Sequence, residues 1–254
     1  MATDYYVNPN GNDLWSGGLQ QPNATLTNGP FKTLERAKKA IRTLKMNSAF
    51  KDKVTVNIAS GRYYLSQPLT FNLIDSGLPG KEIVWQGEPG AQVTISAGLP
   101  ITCKKRDTTF WDCPVTKLPV SLAFFDGNRI KGKIPKFELF VNDKKLQLAR
   151  WPDTGWAHIK VPVDQNTQFS VMETLPTLSG TITDAQVHIF AGNDWYDQYI
   201  GISSVDQFGN AIKLSASTSY PLASGRLFYI QNLPSFLNAP GEWIYNAATK
   251  TVSF

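Results

Sequence analysis

Phe31-Lys32-Thr33-Leu34-Glu35-Arg36-Ala37-Lys38-Lys39-Ala40-Ile41-Arg42-Thr43-Leu44-Lys45, followed shortly by Val54-Thr55-Val56-Asn57-Ile58, is the stretch that decides the fold. In its first part Phe31, Leu34, Ala37, Ile41 and Leu44 recur at spacings of three and four. Lys32, Glu35, Arg36, Lys38, Lys39, Arg42 and Lys45 take the positions between them. That spacing predicts one amphipathic helix, from near Thr33 to near Met46-Asn47-Ser48. After Lys53 the period changes to two: Val54, Val56 and Ile58 point one way, Thr55 and Asn57 the other. No second stretch of helical period is evident, so the fold class is mainly β.

Strand-like runs recur at Tyr63–Leu65, Leu69–Phe71, Ile83–Gln86 and Val93–Ser96, separated by Gly61, Pro68, Gly77, Pro79-Gly80 and Pro89-Gly90. Short strands at such intervals suggest a β-solenoid, a sandwich or a barrel, and on the solenoid reading they are parallel rungs between about 54 and 97. A solenoid needs its open end covered, and the helix at 33–46 suits that role. From about residue 99 the pattern changes to hairpins. Leu139–Val141 and Leu146–Ala149 flank the turn at Asn142–Lys145. Val187–Phe190, Tyr199–Val205, Ile212–Leu214, Trp243–Tyr245 and Thr251–Phe254 follow, with a turn at Phe208–Asn210. This predicts an antiparallel β-sandwich. The domain expectation is therefore residues 1–98 for the cap and first rungs, and 99–254 for the sandwich. The last strand runs to the end of the chain, so truncation ahead of a longer β-helix is expected.

The composition is that of a globular protein: 254 residues, 42% hydrophobic and 18% charged. The net charge of +5 is unevenly spread. Residues 1–150 hold 21 Lys/Arg against 12 Asp/Glu, and residues 151–254 hold 4 against 8. Much of the excess falls on the predicted outer face of the helix, and no nucleic-acid motif accompanies it, so no nucleic-acid partner is expected. No apolar run approaches the length of a membrane span, so no membrane partner is expected. The two cysteines, Cys103 and Cys113, would meet across a hairpin or remain free thiols. No Gly-x-Ser-x-Gly, phosphate loop or dinucleotide fingerprint is present, and neither His158 nor His188 has a Ser or Cys motif beside it.

Five motifs, in order, carry a resemblance. They are Tyr5-Tyr6-Val7-Asn8-Pro9-Asn10-Gly11-Asn12-Asp13 with Trp15-Ser16-Gly17; Gly29-Pro30-Phe31 through Ala37; Gly61-Arg62-Tyr63-Tyr64-Leu65 with Asp75-Ser76-Gly77 and Gly87-Glu88-Pro89-Gly90; Leu139–Asp143 leading to Ala149-Arg150-Trp151-Pro152; and Asn232-Leu233-Pro234 through Trp243 to Val252. Together they resemble the N-terminal region of right-handed parallel β-helix glycoside hydrolases, β-xylosidase-like enzymes among them. The resemblance implies a secreted or periplasmic enzyme acting on a poly- or oligosaccharide, with its signal peptide absent from this chain. Its catalytic carboxylates would lie beyond Phe254, and this chain alone would be inactive. A polysaccharide lyase of the same architecture and a non-catalytic carbohydrate-binding or cell-surface module are the alternatives. Exposed rungs would favour self-association.

Candidate sugar-contacting residues are Arg150, Trp151 and Trp156, which join a planar fork of donors to stacking faces, and Asp194, Trp195 and Asp197 within Gly192–Tyr199. On one extended strand Asp194 and Asp197 would face opposite ways, which argues against a catalytic pair. No metal site is assigned. Asn8, Asn10, Asn12 and Asp13 make an oxygen-rich loop able to hold Ca²⁺, with Asx turns as the plainer account.

Overall fold

Thr33 starts the helix. Its backbone is extended, and its hydroxyl accepts from the Arg36 amide at 3.1 Å, satisfying one of the unpaired donors of the first turn. The computed structural model describes residues 2–116, 130–131, 137–178 and 182–254. It places α1 at Leu34–Met46, as the spacing predicts, and buries Leu34, Ala37, Ala40 and Ile41. Among the described residues no helix is long and apolar enough to cross a membrane. The chain divides into two units, Met1–Pro100 and Ile101–Phe254.

In the first unit, strands β1 (Thr3–Val7), β2 (Val54–Ile58) and β4 (Ile83–Gly87) form a parallel sheet in the order β1-β2-β4. β3 (Gly61–Tyr64) and β5 (Val93–Ser96) form a second, two-stranded parallel sheet. Val7, Phe31, Leu34, Ile41, Val54 and Val56 fill the core. The expected parallel pairing is present, but these two small sheets do not make a repeating solenoid. Too few strands are stacked: three in one sheet and two in the other. Leu69–Phe71 is not a strand. Pro68 has no N–H to give a ladder, and the Thr70 carbonyl accepts instead from Lys38 Nζ at 2.9 Å. The strap from Thr70 to Ser76 is tied to α1 by three bases in all, because Arg42 pairs with Asp75 and Lys45 Nζ donates to the carbonyls of Ile74 and Ser76. Much of the helix's positive charge is used in this way.

The second unit opens with short strands: β6 (Lys104–Lys105), β7 (Trp111–Pro114), β8 (Ile130–Lys131), the hairpin β9 (Phe140–Val141) and β10 (Lys144–Lys145), β11 (Gln147–Leu148) and β12 (Arg150–Trp151). Its longer strands are β13 (Ala157–Pro162), β14 (Gln168–Val171), β15 (Gln186–Ile189), β16 (Gln198–Asp206), β17 (Ala211–Leu214) and β18 (Leu227–Gln231). β19 (Glu242–Asn246) and β20 (Thr251–Ser253) pair with β7 and β11 in a separate five-stranded sheet. Cys103 and Cys113 form a disulfide at that sheet, beside Trp243 and Val252.

The expected sandwich is instead a closed barrel. Six strands pair antiparallel in the cycle β18-β13-β14-β17-β16-β15, and β15 returns to β18 with His188 opposite Tyr229. Register shifts at Ile159/Val161 and Ile202/Ser204 bend the sheet, as β-bulges do in small barrels. Ile159, Phe169, Val187, Ile189, Ile200, Ile212, Phe228 and Ile230 are all fully buried and fill the interior. A sandwich and a barrel demand the same inward alternation, so the alternation alone does not separate them.

Candidate functional site

β15 carries the arrangement that matters. Val187 and Ile189 point into the barrel, so Gln186 and His188 point out of it. The register sets Tyr199 of β16 opposite His188 on one side and Tyr229 of β18 on the other. The three rings therefore lie in a row across three strands, as directly opposed side chains do. Tyr199 stacks on the imidazole, with centroids 4.3 Å apart and planes 7° apart. Tyr229 meets it edge-on at 4.7 Å. Trp156, just before β13, continues the row at 5.0 Å from Tyr229 and 5.4 Å from His188. Phe190 closes one side, 5.5 Å from Trp156.

Two charged groups complete the cluster. Asp197, just before β16, places Oδ2 2.6 Å from His188 Nε2, a geometry suited to the ring N–H donating to the carboxylate. Arg150, on β12 opposite Gln231, lays its guanidinium 3.8 Å from the Tyr229 ring centroid and 5.8 Å from that of Trp156. Its Nε donates to the Pro152 carbonyl at 2.7 Å and its Nη2 to that of Gly155. Burial lowers the pKa of Arg150, while burial and the neighbouring Tyr199 push the Tyr229 phenol up. Tyr229 is thus a neutral hydroxyl across the physiological range, and the partly buried guanidinium is held on its ring face.

Of the six residues singled out from sequence, Arg150, Trp156 and Asp197 meet here. Trp151 does not: adjacent strand residues face opposite ways, so it turns the other way and packs, partly buried, against Phe228 of the barrel core at 6.5 Å. Asp194 and Trp195 stand elsewhere on the same turn. Asp194 Oδ1 accepts from Arg226 Nη1 at 2.9 Å, and Trp195 is 73% exposed against Tyr196 and Tyr220. His188, Phe190, Tyr199 and Tyr229 were not singled out. The one signal for His188 was its place between Val187 and Ile189, which marks the outer face of a core strand. The other histidine, His158, is also held by a carboxylate, with Nδ1 2.7 Å from Glu173 Oε1.

The oxygen-rich loop spends its oxygens on backbone. Asn8 Oδ1 accepts from the Asn10 amide and Asn12 Oδ1 from the Leu14 amide, both Asx turns. Asp13 accepts from the amides of Lys32 and Thr33 and from the Thr33 hydroxyl, which fixes the entry to α1. Among the described residues no group of three or more His, Cys, Asp or Glu is gathered to hold a metal.

Chemically, the barrel cluster brings aromatic faces, a guanidinium and phenolic hydroxyls around a carboxylate–imidazole pair. The carboxylate of Asp197 faces an imidazole and that of Asp194 a guanidinium.

No known protein-family pattern matches the chain, and no curated protein matches it in sequence. Among solved structures, a chain named "Glycoside hydrolase" has the same fold, with a TM-score of 0.70 at 20% identity. The match covers 99% of this chain and 43% of that one, so this chain spans less than half of its length. At that identity the likeness shows fold alone.

Proposed function

We propose that this chain is part of a secreted glycoside hydrolase acting on a poly- or oligosaccharide. The observation that carries the reading is the fold shared with the hydrolase chain along nearly the whole of this one. The barrel cluster supports it, because ring faces beside a guanidinium and hydroxyls suit a sugar's CH faces and hydroxyl edges. In this reading Arg150, Trp156 and Asp197 contact substrate, and residues beyond Phe254 supply the acid and the nucleophile or base.

The same reading makes β2–β3 and β4–β5 the first turns of a right-handed parallel β-helix. Val54 pairs with Ile83 and Gly61 with Val93, an offset of about thirty residues that suits a rung repeat. The domains are then residues 1–98 and 99–254, and the open edges of β4 and β5 are where the chain alone self-associates. The Cys103–Cys113 disulfide supports an extracytoplasmic setting.

The test is reducing-sugar release from a panel of polysaccharides, by this chain and by a form extended past Phe254. Activity in the extended form alone is expected. Release of an unsaturated uronate, read by its ultraviolet absorbance, would replace the hydrolase by a lyase. An extended form that binds saccharides without turnover would leave a carbohydrate-binding module.

A further inference from the structure

The turn between β15 and β16 holds a second aromatic group. Trp195, Tyr196 and Tyr220 form a triangle of edge-to-face contacts, with centroids 6.1, 5.7 and 5.3 Å apart and planes 66–70° apart. The contacts are edge-to-face, and Trp195 stays 73% exposed. Arg226 and Asp194 form an ion pair on the same turn, at 2.9 Å, and the Asp194 side chain is 70% exposed.

The platform is held rigidly. Gly192 lets the turn approach the 220 segment, since a Cβ there would lie 2.9 Å from the Pro221 carbonyl oxygen. The fully buried Gln198 clasps Ser219 twice, donating to its hydroxyl at 2.9 Å and accepting from its amide at 2.7 Å. The Ala223 amide donates to the Ala191 carbonyl at 3.0 Å, and the Thr218 hydroxyl to that of Tyr220 at 2.7 Å. Ligand binding therefore orders little that is not already ordered.

We infer that Trp195, Tyr196 and Tyr220, with Asp194 and Arg226, form a sugar-stacking platform for pyranose units of a neutral oligosaccharide, apart from the cluster at His188. The inference rests on the carbohydrate reading above. A protein partner would call for a broad apolar patch with a dry centre. Here one indole stands out beside Tyr196 and Tyr220, and Ser217, Ser219 and Ser224, close to Tyr220 in sequence, are exposed. A single ring face edged by hydrogen-bonding groups matches a pyranose, whose CH face stacks while its equatorial hydroxyls reach outward. Asp194 can accept from those hydroxyls and Arg226 can donate to them.

Affinity electrophoresis of the 254-residue chain through gels holding a xylan, a mixed-linkage β-glucan or a galactomannan tests the proposal. Retardation is expected in at least one gel. Trp195→Ala should weaken it at least tenfold, and Trp195→Phe, which keeps a ring face, should lose about threefold or less. Phe208→Ala, at a fully exposed aromatic on another loop, should leave it unchanged. A Trp195→Ala chain retarded like the original overturns the platform while leaving the carbohydrate reading standing. Equal losses in Trp195→Ala and Phe208→Ala overturn it too. A chain that none of the gels retards overturns the platform and the sugar-binding role of the barrel cluster together.

Discussion

His188 Nε2 and Asp197 Oδ2 lie 2.6 Å apart, on side chains only 10% and 16% exposed, at the outer surface of a barrel packed inside with Val, Ile and Phe side chains. An outward position on a strand usually faces water. Here Tyr199, Tyr229, Trp156 and Phe190 surround the imidazole, so the pair is shielded although it lies outside the core. Shielding makes each partner depend on the other.

Removing one partner breaks a shielded hydrogen bond to a carboxylate, and loss of a buried charged partner costs about 3–5 kcal/mol in closed sites and less where water can enter. Asp197→Ala is expected to destabilise the barrel by roughly 2–4 kcal/mol, and Asp197→Asn, which keeps an acceptor near Nε2, by less. Urea denaturation followed by tryptophan fluorescence measures both. A midpoint unchanged by Asp197→Ala would mean that the pair adds nothing to folding.

Arg42 grips Asp75 through two hydrogen bonds, at 2.6 and 2.7 Å, and holds that carboxyl down at about 2. The folded form thus binds fewer protons than the unfolded chain, whose Asp titrates near an ordinary value of about 3.9. The stabilisation is complete above that value and is lost as pH falls from about 4 towards about 2. Thermal melts of the first unit should be level from pH 7 to about 5 and then fall. Asp75→Asn should lower the midpoint at pH 7 by a few degrees and flatten the acid limb. An acid limb equally steep in the variant would assign it to other groups.

The helix was legible because Leu34, Ala37 and Ile41 recur at the helical period and Thr33 caps them, both local properties. Val54–Ile58, Ile83–Gly87 and Val93–Ser96 were legible for the same kind of reason. Half of the barrel was not. β13 ends on Pro162, β14 is only Gln168-Phe169-Ser170-Val171, and β18 meets β15 across some forty residues of chain, a pairing no local period encodes. The candidate cluster divides in the same way. Arg150, Trp156 and Asp197 stand out by residue type, whereas His188, Tyr199 and Tyr229 become neighbours only through the registers of β15 with β16 and β18.

The disulfide closes a short loop, with its cysteines ten residues apart, and Cys113 is fully buried among Val115, Trp243 and Val252. Loop-closure entropy for that length is worth about 2–3 kcal/mol. Replacing both cysteines by serine is expected to lower the stability of the five-stranded sheet by about that much, with the added cost of a buried hydroxyl at 113. Cys103→Ala/Cys113→Ala isolates the cross-link from that cost. Melts of the original chain with and without reductant provide the same comparison, and identical midpoints would show that the link is dispensable.

Closure of the barrel has its own signature in amide exchange. In an open sandwich two strands of each sheet are edges, and alternate amides on them face solvent. In the cycle described here β15 and β18 each have neighbours on both sides: β16 and β18 flank β15, while β15 and β13 flank β18. The amides of Val187, His188, Tyr229 and Ile230 should therefore exchange as slowly as those of Phe169 and Ile212, within about tenfold, because all open only with the whole barrel. Phe228→Ala, which removes a ring packed 5.0 Å from Phe169, is expected to cost about 3–5 kcal/mol and to speed exchange on every barrel strand alike. Fast exchange confined to β15 and β18, in the original chain or the variant, would mean that the seam between them opens by itself and that the unit behaves as two sheets.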